Sequence, residues 1–240
     1  MASNLDDRPT WRRFAIVALP PFILAVAATL ACYLAAGTGL MLYLGGIALA
    51  MLLTPPLVLA YRDSLERLLV AASIVDGVGL VWFVAMLRSE TMFAQWLGAY
   101  ILAAGCVFAM TGLALGLSRL LRNDVLASAL CVVIALAWLT WPVWLSAWVD
   151  RPGVERLIAW LVPVHPLLAA NGLLSHLGVW GEQRLMYQLT SLGQDVPYQF
   201  PATVVPATLA HALVGGALLL VARRGRHVGA AIDVPNRQAG

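Results

Sequence analysis

Lysine is absent, and all 15 basic residues are arginine. Charge of either sign is scarce: 11% of the 240 residues are charged and 61% are hydrophobic, where soluble domains carry roughly a quarter charged and half apolar residues. That balance excludes an ordinary soluble domain and leaves an integral membrane protein. Cysteine is nearly missing as well. Cys32, Cys106 and Cys131 sit inside apolar runs with no CxxC spacing, so neither a redox pair nor a thiolate metal site is indicated, and the three thiols read as packing residues. The chain also lacks a GxxxxGK(S/T) phosphate loop, HExxH, GxSxG and paired histidines at metal spacing, so no cofactor, metal or catalytic role is expected of it.

What is present is apolar length. Five stretches approach the ~20 residues that cross a ~30 Å hydrocarbon layer: Phe14 to Ala36, Gly39 to Ala60, Leu68 to Leu87, Gln95 to Ser118 and Val125 to Val149, with a sixth from Thr203 to Ala222. The expected fold is all-α: a polytopic membrane helical bundle of six spans, forming one domain over residues 1–240. The apolar run of the first span exceeds a secretory signal core, so it is expected to stay attached.

Arginine placement sets the expected orientation, because short basic flanks stay on the cytoplasmic side. With the N-terminus inside, Arg8, Arg12, Arg13, Arg62, Arg67, Arg119, Arg122, Arg223, Arg224, Arg226 and Arg237 are inner, while Arg88, Arg151, Arg156 and Arg184 are outer. Both termini, including a tail over residues 223–240, are therefore expected in the cytoplasm, most simply across a bacterial inner membrane. The net charge of +3 and pI near 9.0 follow from arginine at a lipid surface and call for no nucleic acid partner.

Within the spans, small residues are the means of helix contact, since lipid removes the hydrophobic drive between helices. Gly105, Ala109, Gly112 and Gly116 form one such stripe. Pro20 and Pro21 in the first span, and Pro55 and Pro56 in the second, are expected to bend them; residues 8–21 then read as an interfacial elbow. The fifth span ends with Trp138, Trp141, Trp144 and Trp148 on one face. Trp144 and Trp148 suit an outer aromatic belt. Trp138 lies too deep for one, and Pro142 deprives its carbonyl of the usual i+4 donor, leaving an acceptor that must find a partner.

Two ionisable groups fall near the midplane. Asp76 stands about 13 Å from the inner end of the third span and His211 about 16 Å from that of the sixth, where a lone carboxylate costs several kcal/mol. Ser73 and Gly79 flank Asp76, and Thr208 and Gly215 flank His211. The expectation is that Asp76 and His211 meet, either to fix helix register or to form part of a substrate or proton path.

The segment from Asp150 to Ala202 is too long for an ordinary connector. Its first half, VERLIAWLVPVHPLLAANGLL, is apolar but broken by Pro163, His165, Pro166 and Asn171. If it crossed, Arg223, Arg224 and Arg226 would lie outside, so it is expected to dip in and return, shielded by the bundle. Its polar second half, Gly178 to Pro201, carries Trp180, Tyr187 and Tyr198, suited to the outer interface. His165, His176, Glu182 and Asp195 share the segment without local spacing, and read as solvated or capping groups in place of zinc ligands.

This order of parts resembles the membrane permeases of the second class of ATP-binding-cassette (ABC) exporters: six spans, an inner elbow before the first, and a re-entrant helical pair between the fifth and sixth. TGLALGLSRLLRNDVLASAL (Thr111 to Leu130) and VPVHPLLAANGL (Val162 to Leu173) are similar to the corresponding family segments. The resemblance implies a permease subunit, not an enzyme, working as a homo- or heterodimer in the lipid bilayer with a separate ATPase subunit. It implies that Arg62, Asp63, Glu66 and Arg67 in the short inner loop YRDSLERLL face that ATPase, where the family usually has a longer coupling helix. His165, Pro166 and Asn171 would belong to an outer gate. Two rivals stand beside it: a non-transporting membrane scaffold or assembly factor whose outer segment binds a partner, and an intramembrane enzyme using Asp76, His211 or the outer histidines.

Overall fold

A computed structural model of the protein describes residues 10–36, 39–144, 154–178 and 200–232. Among the described residues all regular structure is helical: α1 (Thr10–Ala36), α2 (Leu40–Leu59), α3 (Ser64–Met86), α4 (Phe93–Leu121), α5 (Asp124–Trp144), α6 (Glu155–Val164), α7 (Pro166–Leu173) and α8 (Val205–Ile232), with one 3₁₀ turn at Ser175–Leu177. Six of these, α1 to α5 and α8, are long and apolar enough to cross a membrane. The bent pair α6–α7 lies between the fifth and sixth of them. The polar stretch with Trp180, Glu182, Arg184, Tyr187, Asp195 and Tyr198 lies outside the described residues, as does Trp148.

Burial orders the bundle. In the spanning windows of α2 and α3, 61% of residues are buried, against 22% in those of α1 and α8, so the first two form the centre and the last two the perimeter. The centre is built on Trp82, Tyr43, Ile47, Met51, Ile74 and Leu102, all fully enclosed. Trp82 of α3 donates from Nε1 to the Leu42 carbonyl of α2 at 3.3 Å and lies against the Tyr43 ring at 5.3 Å. Gly46 makes this possible, since a Cβ there would meet the indole at 2.6 Å. Three buried hydroxyls are satisfied inside their own helices: Thr29, Thr54 and Thr111 each donate to the carbonyl four residues earlier, the usual refuge for Thr in apolar surroundings. Leu34, Val125 and Leu213 on the perimeter are exposed, a surface suited to hydrocarbon and ill suited to water.

Two boundaries differ from expectation. Pro20 and Pro21 lie inside the single helix α1, so among the described residues no separate elbow helix precedes the first span. Each proline removes one backbone donor, so the carbonyls of Ile16 and Val17 lose their usual partner within the helix. At the other terminus α8 runs to Ile232, past Ala222. The added residues contain no proline and begin with arginines, which propagate a helix well.

The expected small-residue stripe on α4 is a contact surface for α8. A Cβ on Gly112 would sit 2.6 Å from the Gly215 carbonyl oxygen, and one on Gly105 would sit 3.3 Å from the Thr208 carbonyl oxygen. Gly215 in turn lies over the backbone of Phe108 and Ala109. Gly116 has nothing within 4 Å, so the stripe ends before it. The α4–α5 turn is tight because Arg122 takes a left-handed conformation at φ 52°. Ser118 donates to Asp124 across that turn, and Asn123 caps α5 by accepting from the Leu126 amide at 3.0 Å.

Candidate functional site

The sequence forces a joint between α6 and α7. Pro166 occupies the first position of α7, where its missing N–H costs nothing, and it drives the preceding residue into extended backbone. His165 accordingly has φ −77° and ψ 123°, and the helices on either side are bent by 70°. A pair bent that sharply does not continue one axis.

His165 is fully buried, and its ring holds the joint in the bundle. Nδ1 accepts from the Leu168 amide at 3.3 Å, capping α7. The proton therefore sits on Nε2, which donates to the Trp138 carbonyl at 3.1 Å. That is the carbonyl left without an i+4 donor by Pro142. The acceptor orphaned on α5 and the kink between α6 and α7 thus answer one another.

Aromatic rings complete the contact. Trp138 and Trp141 flank His165 with centroids at 5.4 and 5.5 Å, the second edge-on. Trp138 also lies 6.2 Å from the His211 ring of α8. His211 donates from Nδ1 to the Ala207 carbonyl at 2.7 Å, because a carbonyl can only accept. The indole N–H groups of Trp138 and Trp141 are buried without a hydrogen-bond acceptor among the described residues, an arrangement that suits them to an oxygen atom from elsewhere.

The far end of the pair is tied to α4. Gln95 accepts from the Met92 amide and donates from Nε2 to the Leu173 carbonyl at 3.3 Å, with His176 Nδ1 at the same distance. Asn171, fully buried, donates to the Gly178 carbonyl at 3.1 Å. Where the chain returns, the Pro201 carbonyl lies directly over Gly172 and leaves no room for a side chain. Of the expected gate residues, His165, Pro166 and Asn171 are all buried here. Gln95 and Gly172 carry no sequence signal that marks them beforehand.

Asp76 and His211 are not joined, contrary to expectation. Asp76 accepts instead from the Tyr100 hydroxyl at 2.6 Å. The cause is Gly79: a Cβ there would lie 2.6 Å from the Tyr100 ring, so its absence lets Tyr100 of α4 lie on α3 one turn from Asp76. Trp96 stacks on Tyr100 at 5.5 Å and donates to the Gly79 carbonyl at 3.1 Å. Thr208 and Gly215, which flank His211, serve contact with α4. Replacing Asp76 with Asn and Tyr100 with Phe is therefore expected to cost about 1 kcal/mol each and less than the sum together, whereas Asp76→Asn and His211→Phe should add. Unfolding in mixed micelles measures both cycles.

The loop between α2 and α3 is short and self-contained. Asp63 caps α3 by accepting from the Leu65 amide at 3.4 Å, and Arg67 donates from Nε to the Tyr61 carbonyl at 2.8 Å. Arg62 and Asp63 are exposed, while Glu66 and Arg67 are half-buried. No group of three His, Cys, Asp or Glu able to hold a metal occurs among the described residues.

Fold and site together define a multi-pass α-helical membrane protein with a bent helical pair set between its fifth and sixth candidate spans. Comparison with protein-family models, curated proteins and solved structures finds no match to this chain.

Proposed function

We propose that the chain is the permease subunit of an ABC-type transporter, pairing with a second permease subunit in a bacterial inner membrane and driven by a separate ATPase subunit. The observation that carries this reading is the α6–α7 pair, bent by 70° between the fifth and sixth candidate spans and fastened to α5 by His165. A short pair shielded by neighbouring helices is what re-entrant backbone requires. Six crossings with a returning pair put both termini on one side, and the arginine distribution favours the cytoplasm for them. The buried indole donors beside His165 would give the gate its polar contact with a passing solute. Of the inner-loop residues, Arg62 and Asp63 are exposed and would carry the docking of the ATPase.

Purification of the tagged chain in mild detergent from its native host tests the reading. An ATP-hydrolysing subunit in fixed ratio is expected, and Arg62→Glu should lower its recovery about tenfold, the loss of one charge-assisted contact. Isolation of the chain always without an ATPase would overturn the proposal and favour a scaffold.

A further inference from the structure

A groove of about 500 Å³ runs between α3, α4 and α8, and none of its lining residues belongs to the Trp138 cluster. Its volume lies in the range that accepts a small organic ligand. Arg67, near the start of α3, and Arg119, near the end of α4, both line it. Arg67 leans from its helix toward the start of α3 and Arg119 toward the start of α4, since side chains tilt toward a helix N-terminus, so in the antiparallel pair the two lean toward one another. Beyond them the wall is apolar, with Leu68, Val107, Phe108 and Leu219 among its residues. At the far end Asp76 receives the Tyr100 hydroxyl.

Two dimensions identify the occupant. The groove is open sideways: Leu68, Ala72 and Asp76, spaced four apart on one face of α3, are exposed. Its length from Arg67 to Asp76 is about 13 Å by helix rise, close to half of a ~30 Å hydrocarbon layer, the depth of one leaflet. Charge is ordered along that length, with two cations at the surface end and a carboxylate at the deep end. An anion entering with an apolar tail is thereby oriented with its charge at the arginines.

We infer that this groove binds one anionic phospholipid from the adjoining leaflet, its phosphate between Arg67 and Arg119 and one acyl chain lying along α3 as far as the Asp76–Tyr100 pair. The site shares no residue with the α6–α7 gate. Arginine suits it better than lysine would, since the guanidinium fork engages phosphate through two donors.

Native mass spectrometry of the full chain in mild detergent, with phosphatidylglycerol, phosphatidylcholine or inorganic phosphate added in turn, tests the inference. Phosphatidylglycerol should be retained about tenfold more tightly than phosphatidylcholine, and Arg67→Gln should erase most of that preference. Arg119 has a buried Nη1, so its replacement can disturb folding; Ala72→Trp, at an exposed position on the open side, provides the second variant. It should block retention of the lipid and leave the unfolding midpoint unchanged. Equal retention of the two lipids, or phosphatidylglycerol retention unaffected by both variants, would overturn the inference. Inorganic phosphate competing as well as the lipid would reduce the site to a phosphate site and overturn its apolar half. A dimer dissociated by Ala72→Trp, with no lipid bound, would assign the groove to a second copy of the chain.

Discussion

Replacing His165 with alanine is expected to destabilise the protein by about 3 kcal/mol, as read by unfolding in mixed micelles. The change leaves the partly buried Trp138 carbonyl without its donor and removes the acceptor for the Leu168 amide. An unsatisfied buried backbone group costs about 1–3 kcal/mol and a lost N-cap about 1. The specific test is a double-mutant cycle. In a Pro142→Ala background position 142 regains an N–H, which can reach the Trp138 carbonyl along the helix. The same His165→Ala change should then cost about 1–2 kcal/mol less, a coupling of the size found between residues sharing one partner. Strict additivity would show that the carbonyl of Trp138 is served some other way.

Leucine at Gly112 is expected to cost about 3 kcal/mol or more, or to prevent assembly. Its Cβ would meet the Gly215 carbonyl oxygen at 2.6 Å, and backbone held in a helix cannot turn aside as a flexible side chain can. Gly116 supplies the control in the same helix. With nothing within 4 Å of its Cβ position, Gly116→Ala should be neutral or stabilise by up to about 1 kcal/mol through helix propensity. Equal effects at the two positions would mean that α4 and α8 do not meet through this stripe.

The elements of the fold were legible because lipid imposes a coarse rule: length and apolarity suffice to mark a span. Pro163, His165 and Pro166 likewise marked the interruption between α6 and α7 by local backbone chemistry. Pro142 even announced a carbonyl in need of a donor. Which donor answered could not be read, because His165 lies 27 residues away and nothing local ties the two positions. The pairing of Asp76 failed for a related reason. Depth along a span fixes height and leaves rotation open, and Gly79 turned the choice toward Tyr100 by admitting its ring. Helix ends at the surface were also poorly marked, as α8 shows, where arginine is compatible with both a helix and a tail.

The glycine contacts bind α4 to α8 through backbone, and Gly77 does the same for α3 and α1, its Cβ position being 2.8 Å from the Phe22 carbonyl oxygen. Each couple therefore resists sliding. Across the seam dividing them, Tyr100 to Asp76 and Trp96 to Gly79 are side-chain bonds, which rotamer changes can open and close. If the bundle breathes, this seam is where it can part with little backbone rearrangement, and Tyr100 is its latch.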